Sequence, residues 1–190
     1  MADRDRELLH EALRLEAAGH RALLAGDEEA ARDDLRAASD RYRASWEQAA
    51  PDAYGRLVGM VKAAVLAGDA ETVARYVHSA IGDDPASPTA AYAVAIAALV
   101  HGSDALAARA ADGMRGGSDA FDRAADAITA LAGRDAPAYG RAVAAIVADF
   151  AGRAEHLTGV AIADTAVMLE RLAAQRGMAA GLRSPLLPHV

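Results

Sequence analysis

Two short stretches of this chain set side chains close enough in sequence to do acid–base or metal chemistry. Glu7-Leu8-Leu9-His10 places a carboxylate and an imidazole about one helical turn apart, which is half of the ligand set of a dimetal centre in a helix bundle. Such a centre takes a second Glu-x-x-His and two further inward glutamates. The sequence has no second copy, so the pair reads as a solvated face of a first helix. Further on, Glu155-His156 follows Arg153 and precedes Asp164, the densest polar constellation in the second half of the chain. A carboxylate that orients a histidine is the minimum for general-base work. No serine, threonine or lysine stands nearby in a recognisable nucleophile motif, however, and Asp164 has a simpler role as the N-cap of a last helix. Arg153, Glu155, His156 and Asp164 are therefore expected to form a structural hydrogen-bond cluster that holds the terminal segment, with partner contact as the next reading. Enzymatic use of Glu155, His156 and Asp164 is a distant third.

Gly113-Met114-Arg115-Gly116-Gly117-Ser118 has the composition of a phosphate-cradling loop, but no strand precedes it and the lysine such a loop requires is missing. The sole lysine of the chain is Lys62. The segment reads as a flexible connector between helices. His78 and His101 fall near predicted helix C-termini, where partial positive charge is favourable. No cofactor-binding or metal-ligand pattern emerges, and a non-enzymatic protein is expected.

The elements that must position any site are helices. Of the 190 residues 53% are apolar and only 4% aromatic, the apolar share being mostly alanine, so the core must be made by helices that approach through small side chains. No segment alternates polar and apolar residues between turn signals as a half-buried strand does. The net charge is −7, with arginines and carboxylates interspersed, which excludes the concentrated positive face that nucleic acid needs. There is no cysteine. The charged start, Met1 to Arg6, leads directly into an amphipathic helix and argues against a signal peptide. The longest apolar run, Ala90 to Val100, falls short of the ~18–20 residues of a membrane span. A cytoplasmic protein is expected, and the preference for arginine over lysine and for alanine suggests a GC-rich bacterial genome.

Helix boundaries follow from stop and cap signals. Helices are predicted over residues 3–24, 28–49, 53–66, 70–81, 88–100, 104–114, 119–131, 138–150 and 164–176. Asp27 and Asp69 are the expected caps after Gly26 and Gly68, and Ser87-Pro88 supplies a capping hydroxyl followed by a first-turn proline. The tail Ser184-Pro185-Leu186-Leu187-Pro188 cannot be helical, and its leucines need a surface to cover them. One domain spans the chain, repeat-like over residues 3–118 and completed by C-terminal helices and a tail over 119–190.

Leu24-Ala25-Gly26-Asp27 returns as Leu66-Ala67-Gly68-Asp69, and Gly102 follows Gly68 by 34 residues, a period characteristic of helix-turn-helix repeats. Residues 54–87 resemble a tetratricopeptide repeat: Gly68 at the turn, Tyr76 and Ala80 in the second helix, and Pro85 closing the unit. Residues 12–45 carry Leu15, Gly19, Gly26, Ala31 and Ala38 at corresponding places. Residues 88–121 keep Gly102, Ala107 and Ala111, with Asp119 where the closing proline would stand. The resemblance implies an all-α chain of stacked antiparallel hairpins, a short superhelix with an irregular C-terminal cap. It implies that first helices line a concave face, with Glu16, His20, Val58, Lys62, Tyr92 and Ile96 directed inward. Of these, His20, Lys62 and Tyr92 are the candidates for contact with a bound protein or peptide, because polar groups left unpaired on a buried face are costly. A scaffold or adaptor role is the expectation, with self-association as one way to cover an exposed end of the array. The C-terminal run, Leu169 to Leu172, Arg176-Gly177 and Ser184 to Pro188, is similar to the tail of some all-helical immunity proteins of bacterial polymorphic-toxin systems, which supplies the alternative function.

Overall fold

Where the chain repeats its glycines, it also repeats a hydrogen-bond pattern. In the computed structural model, which describes residues 2–188, nine helices are present among the described residues: α1 (Ala2–Ala25), α2 (Glu28–Trp46), α3 (Gly55–Ala67), α4 (Glu71–Ile81), α5 (Pro88–Val100), α6 (Asp104–Met114), α7 (Asp119–Ala132), α8 (Ala136–Ala151) and α9 (Asp164–Ala174). No strand is found among the described residues. At the end of α1 the amide of Gly26 donates to Leu23 O and that of Asp27 to Ala22 O, the paired bonds of a Schellman stop, which needs a left-handed residue at its centre. The same two bonds recur at Gly68 and Asp69, at Gly102 and Ser103, at Arg134 and Asp135, and at Gly177 and Met178. All five odd-numbered helices therefore stop in one way, and the even-numbered helices do not share it.

The fourth of these stops is made without glycine at its centre. The left-handed position is Arg134, with φ 57°, the one non-glycine residue at positive φ among those described, so the repeat at that turn carries an arginine where its sisters carry glycine. The array also extends further than the resemblance does, because α9 ends like the first members of the series.

The predicted bounds of α5 and α6 coincide with the observed ones, and others shift by a few residues at their ends. Asp27 and Ser87 cap as expected, accepting from Ala30 N and Ala90 N. Asp69 does not. The N-cap of α4 is Ala70 with no side-chain bond, and the Asp69 carboxylate turns to Arg36 instead, at 3.5 Å. Asp164 is likewise no N-cap; it is the first residue of α9, which starts after Ala163.

Neighbouring helices pack in order, α5 is buried from Ala90 to Leu99, and α9 packs on α3 as well as on α7 and α8. The last helix thus returns to α3, far from it in sequence. Two ties fasten it: Arg176 donates to Leu99 O at 2.6 Å and to Asp104 at 3.2 Å, and Arg171 reaches Glu28 at 3.0 Å. The tail follows, with Ala163 N donating to Leu186 O and Leu187 buried. No helix among the described residues is long and apolar enough to cross a membrane.

Glycine permits the close approaches between the first three helices. A Cβ at Gly19 would stand 2.5 Å from Leu35 Cγ, and one at Gly59 would stand 2.7 Å from Tyr42 Cζ. Alanine at Gly59 improves helix propensity by ~1 kcal/mol but overpacks a closed contact, at a cost of ~1–3 kcal/mol. G59A is expected to lower the urea midpoint. Arg134→Gly is expected to raise it by ~1 kcal/mol of stability, because glycine relieves the left-handed strain and the lost Arg134–Asp104 pair is an exposed one, of small worth.

Candidate functional site

α1, α3 and α5 each direct a polar side chain toward one place. His20, Lys62 and Tyr92 line a single cleft of about 390 Å³, completed by α7, α8, the 153–163 segment and the start of α9. These are the three residues selected from the sequence as inward contact positions, and the fold brings them together. It splits the expected C-terminal cluster. Asp164 lies beside Lys62 and Arg153 pairs with Asp149, while Glu155 is exposed and makes no side-chain hydrogen bond among the described residues. His156 stacks on Phe150, with ring centroids 6.1 Å apart. The chain turns between Arg153 and Val160, so residues adjacent in sequence part in space. No Glu155–His156–Asp164 arrangement exists.

The floor of the cleft is a buried ionic network. Lys62 Nζ donates to Asp164 Oδ2 at 2.5 Å and to Thr165 Oγ1 at 3.3 Å, and Thr165 N donates to Asp164 Oδ1 at 2.8 Å. Burial opposes charge on both groups, but their mutual attraction outweighs it. Lys62 is held above its ordinary pKa, and Asp164 below its own. One turn of α1 carries the second half of the network. Tyr42 OH donates to Glu16 Oε2 at 2.6 Å; burial pushes the Glu16 carboxyl up to about 7, against the pull of Lys62 and Tyr42. His20 Nδ1 lies 3.2 Å from Thr158 Oγ1, and its Nε2 is 3.9 Å from Glu16 Oε1, beyond hydrogen-bond reach. Burial pushes His20 down to about 4, so the ring is neutral at pH 7.

Polar atoms are left unpaired around this floor. His20 Nε2, Tyr92 OH and His156 Nδ1 are buried and make no hydrogen bond to another residue among those described. Tyr92 packs edge-on to Phe121 at 5.7 Å. The rim is different in kind. Asp149 is held between Arg123 at 2.5 Å and Arg153 at 2.6 Å, and the Arg153 guanidinium lies 3.8 Å over the Phe150 ring. Beside it Leu157 is 84% exposed, the one large apolar side chain so displayed among the described residues.

Sequence reasoning named Glu16 only as an inward position and did not identify Tyr42, Thr158 or Thr165. The i,i+4 spacing of Glu16 and His20 was the available signal; the partners come from distant elements. Glu16, His20 and Asp164 form the one group of three or more histidine and carboxylate residues, among those described, whose donor atoms lie within 4.8 Å of one another. Glu7 and His10 are exposed, as expected of a solvated pair. Comparison with protein-family models, with curated proteins and with solved structures finds no match to this chain.

The two perturbed groups of α1 have opposite linkage to pH. Between pH 4.5 and about 7 the folded state holds the Glu16 proton that the unfolded chain releases, so this group's contribution to stability falls as pH rises through that window. Between about 4 and 6.5 the unfolded chain protonates the histidine that the fold keeps neutral, so the His20 contribution falls as pH drops. The two slopes oppose each other from about pH 4.5 to 6.5. Relative to wild type, His20→Gln is expected to lose stability as pH is raised from 5 to 7, and Glu16→Gln to gain it over 4.5 to 6.5. Urea midpoints measured across that range read both slopes; parallel curves for all three proteins would refute the assignment.

Proposed function

We propose that this protein is a non-enzymatic, helical-repeat binding module of tetratricopeptide-like design, and that it takes its protein partner at the mouth of the cleft. The observation that carries this reading is Leu157, exposed on the lip of a cleft with apolar walls. Binding energy at protein interfaces concentrates where a side chain fills a desolvated pocket inside a polar rim. The cleft offers such a pocket in Phe121, Ile146, Phe150 and Ile162, and Arg123, Asp149 and Arg153 form the rim. The unpaired Tyr92 and His156 atoms suit an anchor with an apolar body and a polar tip. α9 packs on α3, one of the helices that the tetratricopeptide resemblance places inward, which moves the proposed contact from the inner helices to the lip.

Leu157→Asp tests this without disturbing the core, because substitutions at so exposed a position change stability by only ~0.5 kcal/mol. Wild type and L157D, tagged and passed through lysate of the source cells, are expected to differ in one stoichiometric partner, retained by wild type and lost from the variant, with equal melting temperatures. The same partner captured equally by both proteins would refute the reading. A toxin as that partner would make the protein an immunity protein, the alternative suggested by its C-terminal run.

A further inference from the structure

Glu16 and His20 stand one helical turn apart on α1 and so share a face, and α9 brings Asp164 against them from the far end of the chain. Each of the three is oriented by an outer partner that leaves donor capacity on the inside. Tyr42 occupies Glu16 Oε2, leaving Oε1. Thr158 engages His20 Nδ1, leaving Nε2, which is buried, 1% exposed as a side chain, and without a partner. Thr165 N and Lys62 fix the Asp164 carboxylate, whose oxygens each retain a further lone pair. Outer hydrogen bonds that set the tautomer of a histidine and the orientation of carboxylates are the usual support of metal ligands.

The spacing is that of a site slightly open. Ligands ~2.1 Å from one ion are ~3.4 Å apart in the tetrahedral geometry of zinc; His20 Nε2 and Glu16 Oε1 are 3.9 Å apart, and the donor atoms of all three residues lie within 4.8 Å of one another. Side-chain rotations of about an ångström would close it. His20 and Asp164 also line the cleft, which gives an ion room for the further ligands that three protein donors leave unfilled.

We propose that Glu16, His20 and Asp164 bind a divalent first-row transition-metal ion, of the zinc or manganese class. One imidazole with two carboxylates fits such ions, whereas magnesium and calcium favour all-oxygen sets. Lys62 neutralises Asp164 in the metal-free protein; with an ion bound it remains as a like charge and lowers the affinity. This assignment does not depend on the partner proposed above.

The test uses the full chain, stripped with chelator and titrated calorimetrically with zinc chloride and manganese chloride, and with cobalt chloride under visible spectroscopy. Wild type is expected to bind one ion per chain, with cobalt absorption from mixed nitrogen and oxygen ligation. His20→Ala is expected to weaken binding by about a hundredfold or more, beyond what loss of an outer partner costs. His78→Ala and His101→Ala, which remove the exposed His78–Asp83 and His101–Glu71 pairs, are expected to leave it unchanged. Lys62→Met is expected to tighten it by about tenfold or more through removal of a nearby positive charge. If H20A does not fold by circular dichroism, Glu16→Gln, which keeps the shape of the side chain, decides in its place. Absence of one-to-one binding in both wild type and K62M, or binding that survives the loss of His20 or Glu16, overturns the proposal.

Discussion

The Lys62–Asp164 pair is the contact on which the closed form of this array depends. It joins positions 102 residues apart and is largely buried at the join of α3 and α9, the two side chains 13% and 16% exposed. A buried ion pair is weak evidence for net stability, since desolvating both charges consumes most of their attraction; removing one partner alone, which strands the other, costs ~3–5 kcal/mol. The pair therefore acts mainly on geometry. An α9 shifted by a turn would leave an ammonium and a carboxylate separately buried, and the fold avoids this by admitting one register. The Arg176 bonds to Leu99 O and Asp104 pin the opposite end of the same helix. With both ends set, α9 forms one wall of the cleft lined by His20, Lys62 and Tyr92.

What lies beneath that pair follows from composition. An alanine-rich chain with few aromatics buries little area per residue, so its helices must approach closely, and Gly59 permits one such approach, with the Tyr42 ring lying where a Cβ would be. Seated there, the Tyr42 hydroxyl meets the Glu16 carboxylate. The buried acid thus depends on a missing methyl group one helix away. Glu16 is kept from a fixed negative charge because the nearest cation, Lys62, is already committed to Asp164, and Tyr42 supplies only a hydrogen bond. Burial then prevails over both. For His20, beside it, burial outweighs the attraction of Asp164 and keeps the ring neutral.

Much of the architecture was legible because its causes are local. The glycine echoes mark Schellman stops, and a stop needs only a left-handed residue and two backbone bonds; α5 was readable to the residue because the Ser87-Pro88 cap starts it and the Gly102 stop ends it. The fourth stop carried no such signal, because left-handed geometry is a preference of glycine and not its monopoly: Arg134 adopts it, while Gly133 beside it stays in the right-handed region. Asp69 and Asp164 failed as caps for a related reason. Each carboxylate is turned to a cation on another element, Asp69 to Arg36 and Asp164 to Lys62, which sequence proximity does not reveal. The inward positions His20, Lys62 and Tyr92 were legible from helical register, which survives the closing of the array. The Arg153–Asp164 grouping was not, because nearness in sequence says nothing of direction once a chain leaves its helix.

The floor and the rim of the cleft differ in how the sequence encodes them, and this bears on what each can do. Floor residues come from α1, α2, α3, α5 and α9, so their geometry is only as good as the whole fold, and any change in helix packing moves several of them together. Such a set is rigid and suited to holding a compact group in one arrangement. The rim comes chiefly from the end of α8 and the few residues after it, Asp149, Phe150, Arg153, His156 and Leu157, which make mostly local contacts: an i,i+4 ion pair, a guanidinium over a ring and a stacked imidazole. Local contacts of this kind tolerate substitution without cost to the core. A surface that must match a partner can therefore vary at the rim while the floor stays fixed, and Leu157, the one large apolar side chain displayed to solvent among the described residues, stands on the side of that division where change is cheap.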